Sequence, residues 1–333
     1  MRGRRSGRVG DRGSVILRIL WFVVVVLGWL LIAAAAVAIW LHFYASRGEV
    51  ATAATAVVPF AVLGGVLAVV FFAIARRWIA LVLAVVVVGV AGWTQYPLWV
   101  HDDASGGARV TVVSANIRLG AGDVNDLVER VRSTGADVLA VQELSPEALQ
   151  RLRDAGIGTL LPNEYSAPKP GGRGGALFTR QPMRDRARVP NLLFENLRAV
   201  IDLPGVGATT VFSVHPVPPV KQQALPDAPR LWATELSMLG TELRGVRGPA
   251  IAAGDFNSGY DHKRFRDLLV GGYRDAGDTA GAGLLPTYPE DRWWGPAVTL
   301  DHVISTGWRA ESLSSFTVGG SDHRGLVAVL RAG

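Results

Sequence analysis

Six short strings in this sequence carry side chains suited to holding a cation and moving a proton. They are Ser114-Ala115-Asn116, Val141-Gln142-Glu143, Ser213-Val214-His215, Gly254-Asp255-Phe256-Asn257, Leu300-Asp301-His302 and Ser321-Asp322-His323. Taken singly, each has an ordinary reading. Asn and Asp close turns through local hydrogen bonds, and a lone His is more often a packed, hydrogen-bonded side chain. Taken together, they supply carboxylate and amide oxygens with imidazoles beside them, a donor set that suits Mg2+, Mn2+ or Ca2+. The chain has no cysteine and only six His. Disulfides, thiol nucleophiles and cysteine metal centres are therefore excluded, and a buried zinc cage is not expected.

The elements that must position these residues are strand-like runs, and most of the strings stand where such a run ends. Runs rich in β-branched residues fall at 109–117, 137–142, 175–179, 199–203, 209–215, 250–253, 298–305, 314–318 and 326–330. Between them, Val124, Leu127, Val128 and Val131 recur at helical spacing behind Asp123 as a cap, which predicts a helix over 123–133. Further helices are expected at 146–155, 229–244 and 261–269. Strands interleaved with helices predict a mixed α/β fold. In α/β folds, ligands bind beyond the strand ends, where loops present side chains above a rigid sheet. His302 adjoins Asp301, and alternation along a strand turns it to the other face, so it reads as structural or as part of the rim.

The first hundred residues are of another kind. Three apolar runs, at about 15–41, 50–75 and 78–96, are each long enough to cross a hydrocarbon core of about 30 Å as helices. The chain carries a net charge of +6 and a pI near 10.0. That excess is local. Residues 1–100 hold nine Arg and no Lys against Asp11 and Glu49, whereas residues 101–333 are close to neutral. A broad basic face for a polyanion is therefore not indicated. Arg2, Arg4, Arg5, Arg8, Arg12 and Arg18 precede or enter the first run, and Arg76 and Arg77 stand between the second and third. The positive-inside rule puts both clusters in the cytoplasm and everything after the third span outside. The expected organisation is a basic cytoplasmic tail (1–14), three transmembrane helices (15–100), a linker (101–108) and a globular domain (109–333).

The order Asn, Glu, His, Gly-Asp-x-Asn, Asp-His, Ser-Asp-His resembles the endonuclease/exonuclease/phosphatase superfamily, the deoxyribonuclease I-like group. The Gly-Asp-Phe-Asn and Ser-Asp-His-Arg strings are its specific elements, and Gly174-Gly175-Ala176-Leu177-Phe178-Thr179-Arg180 is similar to a strand of the same family. The resemblance runs from about residue 110 to 330. It implies a four-layer α/β sandwich, two packed mixed sheets flanked by helices, with the site at one edge. It implies one or two ions of Mg2+ (or Mn2+ or Ca2+) held by Glu143 with Asn116, Asp322 completing the metal side or orienting a neighbour. It also implies Asp255 orienting or deprotonating the attacking water, Asn257 donating to phosphate or nucleophile, Asp301 holding His323, and His215 as proton donor or phosphate contact.

Two positions depart from the abasic-site branch, where an Asp stands in place of Arg118 and a Tyr in place of His215. Both departures, and the expected location, turn the reading away from DNA repair. The expectation is a membrane-anchored, metal-dependent phosphoesterase on the extracytoplasmic side. Its substrate is expected to be a lipid head-group phosphodiester, a nucleic acid or a small phosphorylated metabolite, in that order. The bilayer is its one expected partner, since no protein partner can be inferred. The competing reading is a membrane-bound binding protein that keeps the fold without catalysis. Against it stands the completeness of the residue set, from which a decayed site would have lost a member. The segment 287–294, with Tyr288, Trp293 and Trp294, is a candidate substrate rim, and Arg173, Lys221 and Arg230 are candidate phosphate contacts.

Overall fold

The computed structural model describes residues 9–104 and 106–333. Arg2, Arg4, Arg5 and Arg8, which contribute to the expected orientation, lie outside the described residues. The chain divides into two compact units, a helical one and a larger one that takes in residues 44–56 and 96–333.

Helix α1 (Val9–Phe43) is followed by α2 (Glu49–Ala56), α3 (Val58–Ile74) and α4 (Trp78–Gln95). Among the described residues, two helical stretches, Val15–Phe43 and Trp78–Trp99, are long and apolar enough to cross a membrane, and there are three if α2 and α3 count as one bent span. The expected second run at 50–75 is not one straight helix. It bends by 62° between Ala56 and Val58. Pro59 stands in the first turn of α3, and a proline there lacks an N–H and restricts the residue before it, so the chain restarts its helix rather than continuing one. Helix α2 belongs to the other unit. Within the helical unit, small residues form the contacts. Ala35, Ala68 and Ala84 are fully buried, and a Cβ at Gly28 would run into the Phe72 ring. Small faces of this kind let helices approach closely without a hydrophobic drive from water. The outward residues are large and apolar, among them Phe22, Leu30, Ile79 and Val82.

The larger unit continues through β1 (Arg109–Asn116), α5 (Val124–Thr134), β2 (Val138–Gln142), α6 (Pro146–Asp154), α7 (Ile157–Leu160), β3 (Asn163–Ala167) and β4 (Gly175–Thr179). Next come β5 (Met183–Arg188), β6 (Leu197–Leu203), β7 (Gly207–Val214), α8 (Ala228–Gly245), β8 (Ala250–Asp255), α9 (Lys263–Arg266), β9 (Arg274–Asp275) and α10 (Ala276–Thr279). The chain ends with β10 (Asp301–Thr306), β11 (Trp308–Thr317) and β12 (Arg324–Ala332). Two six-stranded mixed sheets result, in the orders β11-β12-β1-β2-β4-β3 and β5-β6-β7-β8-β10-β9.

Alternation along each strand sorts the apolar residues into three cores. Val112, Val138, Ala140 and Leu177 of the first sheet meet Ala199, Val211, Ile251 and Val303 of the second. Their neighbours Val113, Leu139, Val141 and Phe178 face outward against Leu127 and Val131 of α5 and Leu152 of α6. On the far side, Phe212, Ala252 and Ile304 pack on Trp232, Leu236 and Leu239 of α8. The layers run helix, sheet, sheet, helix.

Four expectations needed correction. Strands β3 and β5 and the two-residue β9 were not foreseen, and all three are sheet edges. The outer strand β5 reads Met-Arg-Asp-Arg-Ala-Arg and is largely exposed, because charged residues on an edge keep it from pairing further. The helix expected at 261–269 is a single turn, α9. The expected strand at 298–305 starts at Asp301, since Val298 pairs instead with Tyr288 in a small hairpin. The expected linker is tied down as well. His101 bridges Ala280, Asp102 N donates to Thr279 O, and the Asp102 carboxylate pairs with Arg274 and Arg309.

Candidate active site

Both sheets deliver site residues at one edge. In the first sheet, β1 and β2 run parallel with Asn116 opposite Gln142, so Asn116 and the next residue, Glu143, leave neighbouring strands together. In the second sheet, β7 and β8 run parallel with Val214 opposite Gly254, which sets His215 beside Asp255. Strand β10 runs antiparallel to β8, and Asp301 is the cross-strand partner of Asp255. The turn before β12 adds Asp322 and His323. Gly254 has to be glycine, because its φ is +155° and a Cβ would collide with the Val214 carbonyl. Strain gathers here. Arg118, Leu119, Glu143 and Asn257 all have positive φ, a conformation that costs non-glycine residues energy and persists where the surroundings impose it.

The side chains converge on Asp255. Asn116 Nδ2 donates to Asp255 Oδ2 at 3.0 Å and to Glu143 Oε1 at 3.1 Å. His215 Nε2 lies 3.7 Å from Asp255 Oδ2 and 3.9 Å from Glu143 Oε1. His323 Nε2 is 3.7 Å from Asp255 Oδ2, while its Nδ1 donates to Asp301 Oδ2 at 2.8 Å. Six of the eight expected residues therefore share one network. The other two join it less directly, Asn257 through its backbone N–H, which donates to Asp255 Oδ1 at 2.7 Å. One N–H of the Asn257 amide donates to Pro216 O at 2.9 Å, tying the loops after β7 and β8 together. Asp322 stands at the rim, 3.8 Å from Arg118 Nε, and Arg118 also pairs with Asp291. His302 faces away from the site, bonded to Asp275 and to Ser258 O.

Burial and charge set the protonation states. Burial pushes the Asp255 carboxyl up, and His323 and His215 draw it back. Burial also raises Glu143, against hydrogen bonds from Asn116 and Leu119 N. Burial lowers His215 and keeps it neutral. Burial pulls His323 down as well, but Asp301 and Asp255 outweigh it and lift its pKa to about 10, so it is an imidazolium at neutral pH.

A cation fits this donor set. Glu143, Asp255, Asp301 and Asp322 place four carboxylates around one imidazolium, and Asp301 Oδ1 and His215 Nδ1 are buried without a hydrogen-bond partner among the described residues. Asp255, Asp301 and His323 have ligand atoms within 4.8 Å of one another. A charged His323 is a poor ligand, however, because both of its ring nitrogens carry protons. Glu143, with Asn116 and with Asp322 on its open side, is the better seat for a hard ion.

Several residues that position this site have no signature in the sequence. Asn196 clamps His215 by its backbone, accepting from its N–H at 2.6 Å and donating to its carbonyl at 2.9 Å. Glu235 accepts from Leu193 N and Val217 N, both at 2.8 Å, on either side of that clamp. Gln142 bridges the sheets beneath the site, bonding Ser114 and Ser213. Thr287 Oγ accepts from Asp301 N, and the Tyr288 ring lies 4.8 Å from the His323 ring. Gln142 and the two serines left a trace as polar residues inside apolar strands, and Thr287 and Tyr288 as part of the expected rim; Asn196 and Glu235 left none. Of the expected phosphate contacts, Lys221 pairs with Glu49 and Arg230 with Asp227. Arg173 lies exposed on the loop beside Glu143.

Solved structures with this fold include TDP2 of D. rerio complexed with single strand DNA product, with a TM-score of 0.53 and 14% identity over 67% of this chain and 99% of that one. An AP endonuclease from Archaeoglobus fulgidus gives 0.52 and 15% over 66% and 98%. An endonuclease/exonuclease/phosphatase from Beutenbergia cavernae gives 0.50 and 19% over 68% and 72%. At these identities the likeness is one of fold. No curated protein matches the chain. The sequence model of one family, however, matches residues 113–323, from the middle of β1 to His323, and with all the residues of the network inside that match the chain belongs to the Endonuclease/Exonuclease/phosphatase family.

Proposed function

We propose that this protein is a divalent-metal-dependent hydrolase of phosphate esters, with its catalytic domain on the extracytoplasmic side of a membrane. The family acts on phosphoester bonds. The observation that carries the reading for this chain is the relay Asp301–His323–Asp255, with the Glu143–Asn116 pair against its far end. Glu143 and Asn116, with Asp322 beside them, would hold a hard ion, which would supply Lewis-acid polarisation of a phosphoryl oxygen. The protein's own groups do the rest. Asp301 fixes the His323 ring and stabilises its charge, leaving Nε2–H to donate to a phosphate oxygen as negative charge builds. Asp255 Oδ2, its carboxyl lifted by burial, takes the proton of the attacking water. Neutral His215 adds a second imidazole against the same oxygen.

Three crossings are supported by chain topology. Residues 44–56 and 96–333 belong to one unit, so the chain between them crosses a bilayer an even number of times. Helix α4 qualifies as a span by itself, and α3 is then the other. With three crossings, Arg76 and Arg77 stand one crossing after residues 44–56, on the side that the positive-inside rule makes cytoplasmic.

For the substrate, a phosphodiester with an apolar portion, such as a phospholipid, is the first choice. Trp293 is 92% exposed, Trp294 56% and Leu119 60%. Their loops are joined by the Arg118–Asp291 pair at the site's mouth. Exposed apolar residues gathered in one place mark a binding surface. The test is hydrolysis by the full chain, with Mg2+, Mn2+ or Ca2+, of phospholipid vesicles, single-stranded DNA, RNA and bis-p-nitrophenyl phosphate. Turnover lost in both Asp255→Ala and His323→Ala supports the hydrolase, and the preferred member names the substrate. A folded, metal-binding protein inactive on all four overturns the reading.

A further inference from the structure

The segment between the first two apolar helices is built into the catalytic unit. Arg264 Nε donates to Ser46 O at 2.7 Å and its Nη2 to Ala45 O at 3.1 Å, a planar fork across two successive carbonyls. His262 accepts at Nδ1 from Gly259 N at 2.9 Å, which leaves Nε2–H to donate to Thr52 O at 3.0 Å. Glu49 meets the N–H of Lys221 at 3.3 Å and its ammonium at 3.9 Å. The segment itself is held rigid. Thr52 Oγ donates to Gly48 O and accepts from Ser46 Oγ at 2.6 Å. Ser46, Thr52 and Thr55 are buried, although Ser46 would read as part of an exposed loop and Thr52 and Thr55 as part of the second apolar run.

Two of these contacts fall on the loops that leave the site, and Arg264 stands in α9, directly after the second of them. Lys221 follows His215 in the loop after β7. Gly259 closes the loop after β8 that carries Asp255 and Asn257, and it packs so closely on Thr299 that a Cβ there would touch the Thr299 carbonyl. Two residues further on is Asp301, and Phe256 N donates to Leu300 O between them. We propose that residues 44–56 are a strut for the active site, with Arg264 and His262 as positioning residues that transmit it to the Asp255 and Asp301 loops. This rests on the hydrolase reading above. The catalytic domain is then fully active only with its inter-helix segment in place, which couples turnover to the membrane part of the chain.

The test uses the full chain with bis-p-nitrophenyl phosphate, and amide hydrogen exchange as a readout independent of turnover. His262→Asn is the informative variant. Its Oδ1 still accepts from Gly259 N, but the side chain no longer reaches Thr52, so it separates the strut from the turn. The expected result is a fall in kcat on the order of tenfold with KM unchanged, as for small misplacements of catalytic groups. Faster exchange at both 44–56 and 256–260 is expected with it. Arg264→Ala should match it, and Arg264→Lys, able to reach one carbonyl, should lie between. If one variant does not fold, the other decides. Wild-type kcat and wild-type exchange at 256–260 in a folded variant overturn the proposal. A wild-type chain that hydrolyses no phosphate ester overturns the hydrolase reading instead, and exchange alone then decides whether the strut holds the loops.

Discussion

Strand β10 carries the same chemical pair on its two faces, with opposite consequences. On one face, Asp301 Oδ2 accepts from His323 Nδ1 at 2.8 Å. On the other, His302 Nδ1 meets Asp275 Oδ2 at 2.9 Å. Both imidazoles and both carboxylates are buried. The second ring nitrogen makes the difference. In His302 it is occupied by Ser258 O at 2.9 Å, and the ring lies 4.0 Å from that of Phe265. In His323 it points at Asp255 across 3.7 Å, with no hydrogen bond to hold it. A histidine–carboxylate pair is thus a structural bond when its far nitrogen is satisfied, and a catalytic device when that nitrogen is left for a substrate.

The comparison breaks most visibly under substitution. His323→Ala should lower kcat by about a thousandfold or more, within the usual range for a positioned proton donor, while the thermal midpoint moves little. Chelation of divalent ions should abolish turnover as completely and leave the His302 side untouched. Asp301→Asn should cost on the order of a hundredfold in kcat by loosening the ring and its charge, read as a fall in kcat with KM nearly constant. His302→Ala should do the reverse. It strands the buried Asp275 and Ser258 O, costing about 2 kcal/mol of stability in denaturant titration. Its kcat should fall less than about tenfold, the residual effect of losing one tether on the 255–259 loop. If His302→Ala proved as inactive as His323→Ala, the division between the two faces would be wrong.

How much of this was legible in the sequence follows from the same distinction. Asn116, Glu143, His215 and Asp255 could be found because each stands where a strand runs out, and Asp301 and His323 because each stands in a polar string where a strand begins. His302 could be set aside because a period of two turns it from Asp301. Asn196 and Glu235 could not be found. Their partners are backbone groups of residues 18 to 42 positions away, and a side chain that bonds backbone leaves no pattern in residue type. The strut was hidden for the same reason, since Arg264 and His262 read main-chain carbonyls of residues 45, 46 and 52. Strands β3 and β5 escaped because edge strands need only one apolar face or none. The bend at Val57 was visible only as Pro59, in a run whose hydropathy is otherwise continuous.

The smallest expected effect is also the most specific, because it separates the two histidines by pH. Burial lowers the His323 pKa, and Asp301 and Asp255 more than reverse this, lifting it to about 10. A folded-state pKa above the ordinary histidine value of about 6.5 stabilises the fold fully below that value, and the contribution fades as pH rises toward 10. The same proton serves the reaction, so kcat/KM should have an alkaline limb. A divalent ion beside Glu143 opposes the imidazolium as burial does, which places the limb at or below about 10. The acid limb belongs to Asp255, whose carboxyl is raised by burial and drawn back by a divalent ion beside Glu143, so it should move to lower pH as the ion binds. Asp301→Asn removes the strongest attraction on His323, so the alkaline limb of its residual activity should move to lower pH. In His302→Ala that limb should stay where it is in the wild type, because His302 faces away from the carboxylates that hold the proton. A pH profile of all three proteins in one buffer series measures this, and a limb that moved in His302→Ala but not in Asp301→Asn would assign the working imidazolium to the wrong face of β10.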